Sequence, residues 1–154
     1  MKAVIQRVRN ASVTVEGKVT GSIDMGLLVY LGVATEDNEK DAEWMAEKSA
    51  NLRIFEDSQG KMNLSLKDLD SEGKKGILAI SQFTLLGDAS KGRRPYYGAA
   101  AEPDKANALY EYFMNKIREQ GLVCEAGVFQ AHMYVNYTND GPVTILLDSR
   151  LGVK

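Results

Sequence analysis

Two short apolar runs constrain this chain more than any other feature. GLLVYLGV, residues 26–33, and GILAISQF, residues 76–83, are each almost continuously hydrophobic. Runs of this kind suit strands buried on both faces, and both fall well short of the roughly 18 residues that a membrane span requires. Two amphipathic segments offer the cover such strands need. Across residues 38–53, Ala42, Met45, Ala46 and Leu52 recur at helical spacing, with acidic residues in the first turn where the helix dipole favours them. From Pro103 to Gln120, residues Ala106, Leu109, Tyr110, Phe113, Met114 and Ile117 follow the i, i+3, i+4, i+7 pattern. Pro103 suits the first helical position and Gly121 the C-terminal cap.

The remaining chain reads as strands and turns. Val4 to Arg9 alternates, Ser12 to Glu16 repeats the alternation, and Glu16-Gly17-Lys18 suits a tight hairpin. IFEDSQGKMNLSL predicts strand, turn at Asp57 to Gly60, strand. Segments 122–126, 132–138 and 142–148 complete the set, with a turn expected at Asn139-Asp140-Gly141. Strands outnumber helices, and each helix is long enough to cover a sheet face. The expected class is therefore α/β, with mixed β-sheets in two layers and two main helices packed outside. At 154 residues the chain is expected to form a single domain over 1–154 with one core.

Composition narrows the function classes. The formal charge of −2 gives no global basic field, so any nucleic-acid contact has to come from a local patch, and DNA is not expected as a partner. One cysteine, Cys124, and one histidine, His132, rule out a disulfide framework and a cysteine-histidine zinc cluster. No metal and no cofactor are expected. The first ten residues alternate charged and apolar side chains without a continuous hydrophobic stretch, so a cytoplasmic protein without a membrane partner is expected.

Three segments break the local rules. Ser81-Gln82-Phe83-Thr84 ends the second buried strand with two hydroxyls and an amide, where a turning backbone can aim N–H groups at a developing oxyanion. The same residues also suit a strand end that simply caps the next turn. Asn139-Asp140-Gly141-Pro142 reads as a turn, although a cis Gly-Pro bond there would make a rigid backbone wall. Lys91-Gly92-Arg93-Arg94-Pro95-Tyr96-Tyr97 sits in a long loop and fits either a solvated charge run or a hold for phosphates and a stacked base. Ser81 with His132 is the obvious hydrolase pair, yet no nucleophile-elbow glycines surround Ser81. The residues thus offer oxyanion donors without a convincing nucleophile or base. A serine esterase and a non-catalytic nucleic-acid-binding module stay open beside that reading.

Taken together, AVIQRVRNASVTVEG, GLLVYLGV, NLRIFEDSQGKMNLS, SQFTL, KGRRP and NDGPVT resemble the D-aminoacyl-tRNA deacylase family in order and spacing over nearly the whole chain. SQFTL and NDGPVT together are highly specific. The resemblance implies a compact β/β/α domain, a homodimer, and hydrolysis of D-aminoacyl esters at the aminoacylated 3′ end of tRNA, with weaker use of glycyl-tRNA. It implies that Ser81, Gln82, Phe83 and Thr84 line the catalytic pocket and that main-chain N–H groups there bind the ester carbonyl. It further implies that Gly141-Pro142 is cis and enters the partner subunit's pocket as chiral selector, with Phe129, Ala131 and Met133 near the substrate and Lys91, Arg93 and Arg94 on the tRNA. The chain departs from the family pattern at Gln130, where glycine is usual, at His132, where an acidic residue is usual, and at Tyr96-Tyr97.

The chemistry suits this shortage of side-chain catalysts. An aminoacyl ester is already activated, and its neighbouring ribose 2′-hydroxyl can orient or activate water, so positioning and oxyanion stabilisation remain the protein's task.

Overall fold

A computed structural model describes residues 1–70 and 72–152. In chain order it has β1 (Lys2–Val15), β2 (Lys18–Gly32), α1 (Glu39–Asn51), β3 (Phe55–Glu56), β4 (Met62–Leu64), β5 (Lys75–Ser81), α2 (Pro103–Glu119), β6 (Val123–Ala126) and β7 (Tyr134–Asp148). Five strands form a mixed sheet in the order β6-β5-β2-β1-β7, and β3 pairs with β4 in a separate small hairpin. The expected mixed α/β fold is what the structure has. Among the described residues, no helix is long and apolar enough to cross a membrane.

The two apolar runs lie side by side at the centre. β2 and β5 pair in parallel from Met25 and Lys75 to Leu31 and Ser81, and Leu27, Leu28, Val29, Ile77, Leu78 and Ala79 are fully enclosed. One sheet face, with Ile5, Leu27, Val29 and Ile77, packs on Ala42, Met45 and Ala46 of α1 and on Phe113 and Ile117 of α2. Leu28, Leu78 and Ile80 point the other way and meet Val8, Ala11, Val13 and Ile23, with Tyr30, Met133 and Val135 alongside. Strand alternation explains the division, because successive side chains face opposite sides. The face of β1 changes at Asn10, which takes φ +50, so odd-numbered Ala11 and Val13 join even-numbered Val8. Asparagine adopts this left-handed conformation more readily than most residues.

Both helices start on the expected signals. Asn38 caps α1 by accepting from the Lys40 amide at 2.9 Å, while its own amide donates to Asp41 Oδ2 at 3.0 Å. Pro103 opens α2, whose Tyr110 hydroxyl donates to the Ala79 carbonyl of β5 at 2.8 Å.

Three sequence expectations require correction. The second apolar run ends as a strand at Ser81, and Phe83–Leu86 forms a 3-10 turn instead. Residues 132–133 precede β7, which begins at Tyr134. Asn139-Asp140-Gly141 does not turn the chain back: β7 runs through it along β1. Gln6 and Val8 on β1 pair with Thr144 and Asn139 on β7, so Arg7 alone opposes the four residues Asp140–Val143, which loop out as a large bulge.

Candidate active site

The 3-10 turn begins where β5 leaves the core. The Gln82 amide donates to the Leu31 carbonyl at 2.8 Å, which ties the turn to β2. Leu85 N–H then donates to the Gln82 carbonyl at 3.3 Å, and Gly87 N–H to the Thr84 carbonyl at 3.0 Å. The amides of Phe83 and Thr84 fall on the first two positions of this turn, which have no intrahelical acceptor. Gln82 Nε2 donates to Thr84 Oγ1, so the two polar side chains brace one another across the turn. Phe83 is exposed and meets Tyr97 edge-on, with ring centroids 5.1 Å apart.

A cavity of about 640 Å³ opens beside this turn. Ser81, Gln82 and Phe83 form one wall, and Phe129, Gln130, Ala131, His132 and Met133 form another. Leu31, Val33, Ala100, Ala101, Pro103 and Ala106 add an apolar lining from β2, the long loop and the start of α2. Of the residues singled out from sequence, Ser81, Gln82, Phe83, Phe129, Ala131 and Met133 therefore converge on one cavity. Thr84 adjoins it on the turn without lining it. Lys91, Arg93 and Arg94 lie on an exposed loop that closes through the Asp88–Tyr96 bridge, away from the lining. Sequence reasoning missed Ala100, Ala101 and Ala106, which carry no chemistry that could have marked them.

Gly141-Pro142 does not line this cavity; it is exposed on the β7 bulge, and its peptide bond is cis. The bulge is held from beneath. Arg7 is almost fully enclosed; its Nε donates to the Asp140 carbonyl at 3.1 Å and its Nη1 to the Ile54 carbonyl at 2.7 Å. Asn139 Nδ2 donates to the carbonyls of Arg7 and Val143 at 3.0 and 3.1 Å and closes the base of the loop. Gly141 has φ +131, and a Cβ there would come within 2.7 Å of Val143 Cγ2 and 3.2 Å of Arg7 Nη2. Only glycine fits that backbone without displacing the clamp. Arg7 was absent from the sequence-derived site because its charge reads as one more surface residue on an alternating strand.

Side-chain nucleophiles are scarce. Burial pushes the Cys124 thiol up to about 12, with the Arg118 charge only partly opposing it, so at neutral pH Cys124 is a protonated core residue. His132 stacks edge-on against Tyr134, with ring centroids 4.9 Å apart. Among the described residues no group of three histidine, cysteine or carboxylate side chains is arranged to hold a metal ion.

The model of the D-Tyr-tRNA(Tyr) deacylase family matches residues 4–148. A D-aminoacyl-tRNA deacylase from Koribacter versatilis is 59% identical over 150 residues, covering 97% of this chain and 98% of that protein. One from Thermotoga petrophila is 56% identical over 149 residues, covering 97% of each. Among solved structures, the c-Myc DNA Unwinding Element Binding Protein superposes with TM-score 0.87 at 41% identity, over 96% of this chain and 98% of that one. A probable eukaryotic D-amino acid tRNA deacylase shares the fold at TM-score 0.77 and 17% identity, over 95% and 97% of the two chains. With the family pattern matched along almost its entire length and relatives well above half identical, the chain belongs to the D-Tyr-tRNA(Tyr) deacylase family.

Proposed function

We propose that this protein hydrolyses the ester bond of D-aminoacyl-tRNA, releasing tRNA and the free D-amino acid, and that it uses glycyl-tRNA more weakly. Water attacks the ester carbonyl carbon, the bond to the ribose 3′-oxygen breaks, and that oxygen leaves as a hydroxyl with a proton from water. The observation that carries the reading is the 3-10 turn at the cavity edge, whose Phe83 and Thr84 amides have no intrahelical acceptor. Such donors stabilise an oxyanion, and an activated ester next to a ribose 2′-hydroxyl asks little more of the protein. Ser81 and Gln82 orient the ester beside them. Phe129, Ala131 and Met133 bound the space for the acyl group.

Chirality requires a wall on one side of Cα. In our reading the wall is the exposed Gly141-Pro142 backbone of a second copy, presented by the β7 bulge and set by Arg7. With ester and amino group both pinned, inverting Cα exchanges side chain and hydrogen, so a backbone wall refuses L-amino acids and passes D-amino acids and glycine. The exposed cations Lys91, Arg93 and Arg94 suit the phosphates of the tRNA acceptor end. This work belongs in the cytoplasm, beside translation. The test compares D- and L-aminoacyl esters on one tRNA: rapid hydrolysis of the D ester with near-complete sparing of the L ester is expected, and equal rates would sink the reading.

A further inference from the structure

We propose that His132 biases the enzyme by charge, favouring D-aminoacyl groups with acidic side chains and disfavouring basic ones. The proposal rests on the deacylase reading above. Among the residues lining the cavity, His132 alone has an ionisable side chain. Every other lining group is aliphatic, aromatic, hydroxyl, thioether or amide, so nothing in the wall competes with the imidazole for a charged visitor.

Position supports the assignment. His132 lines, with the other residues of 129–133, the same cavity that Ser81, Gln82 and Phe83 line, so an acyl group held at the turn shares that cavity with the imidazole. The segment is shaped by a tight turn in which Ala131 N–H donates to the Val128 carbonyl at 3.1 Å, with Gln130 in the left-handed region at φ +63. The imidazole ring is buttressed by Tyr134, which meets it edge-on at an interplanar angle of 70°. His132 itself is exposed, so its nitrogens are within reach of a ligand.

The chemistry is asymmetric. An imidazole always offers at least one N–H donor and gains a second, with a positive charge, on taking up a proton. A carboxylate therefore meets a donor in either state and a cation in one. A lysyl or arginyl side chain meets at most one neutral acceptor and otherwise a like charge. Because the site is open to solvent, the preference is that of a partly screened pair, about fivefold between acid and base.

One tRNA is charged in turn with D-aspartate, D-alanine and D-lysine, and kcat/KM is measured for the wild type, H132N and H132D. The α-amino group and the tRNA are common to all three esters, so each enzyme's rates relative to its own D-alanyl ester isolate the side chain. The wild type is expected to favour aspartyl over lysyl about fivefold, H132N to lose most of that ratio, and H132D to reverse it. A ratio that is the same in all three proteins overturns the proposal. Hydrolysis of no D-ester by the wild type is a different result and overturns the deacylase reading together with it. If H132D does not fold, the collapse of the ratio in H132N is sufficient support, and its persistence there is sufficient refutation.

Discussion

At Arg7 a buried charge does a backbone's work. Its guanidinium donates to two main-chain carbonyls, Asp140 and Ile54, and lies 3.8 Å from the Asp140 carboxylate and 3.9 Å from that of Glu56. These contacts fix the bulge, and Gly141 fits over Arg7 with no room for a side chain. Gly141→Ala should therefore displace the bulge while leaving the core beneath it intact. We expect the ratio of D- to L-ester hydrolysis to fall at least tenfold, with a melting temperature within a few degrees of the wild type; unchanged selectivity would remove the bulge from the mechanism. The turn invites the opposite expectation. Among the described residues, neither the Ser81 nor the Thr84 hydroxyl is hydrogen-bonded to a histidine, carboxylate or amine, and the proposed donors are main-chain amides. Ser81→Ala and Thr84→Ala should each keep more than about a tenth of wild-type kcat, since a lost neutral hydrogen bond is typically worth about 1 kcal/mol. Substrate lacking the terminal 2′-hydroxyl should react far more slowly. Trapping an acyl group covalently on either hydroxyl would restore the nucleophile reading.

Among the elements, α1 ties the chain's two ends to its own start. Asp41 closes the capping box at the Asn38 amide, and its Oδ1 accepts from Ser149 Oγ at 2.6 Å. Ser149 Oγ in turn accepts from the Met1 ammonium at 2.6 Å. Burial opposes ionisation of Asp41, but the Ser149 and Asn38 hydrogen bonds and the nearby ammonium together hold its carboxyl below the usual aspartate range. A carboxyl with a lowered folded-state pKa contributes stability that is present above its unfolded value, near 4, and is lost as pH falls through the folded one. Asp41→Asn should cost about 1–3 kcal/mol at pH 7, and the gap in melting temperature from the wild type should narrow between pH 5 and pH 3. A gap that stays constant with pH would show that the charge is immaterial. Both helices were legible in the sequence because their period and caps are local. The β7 bulge was not, because NDGP alone spells a turn. What keeps the strand running is Arg7, whose partner on the bulge, Asp140, lies 133 residues away in sequence. The SQFT segment could be picked out for its hydroxyls, whereas the 3-10 geometry that turns its amides outward depends on β2, through the Gln82–Leu31 bond.

Taken whole, the molecule leaves one side unfinished. β7 is fifteen residues long, lies at the sheet edge and, among the described residues, pairs only with β1. A long edge strand offers a row of backbone groups to another chain unless something covers or blunts it. Here it also displays Leu146 at 74% exposure and Tyr134 at 63%, and Leu151 just beyond it is 89% exposed. Leu146 and Leu151 border a groove of about 350 Å³ with Val4 and Leu85. Leu85 belongs to the same 3-10 turn as Phe83 and Thr84, so whatever fills the groove also supports the turn proposed to bind the ester. The second copy proposed to supply Gly141-Pro142 accounts for both features: one contact covers the apolar edge, braces the turn and completes each cavity. Leu146→Glu places a charge in that contact and nothing in the core, so the subunit should still fold. Sedimentation should find the wild type dimeric and the variant monomeric at micromolar concentration. The variant should lose activity and enantioselectivity together, at least tenfold in each, because its turn is unsupported and its cavity lacks the wall. A monomeric variant that remains fully active and still spares L-esters would place the selector within one subunit and leave the exposed edge with some other purpose.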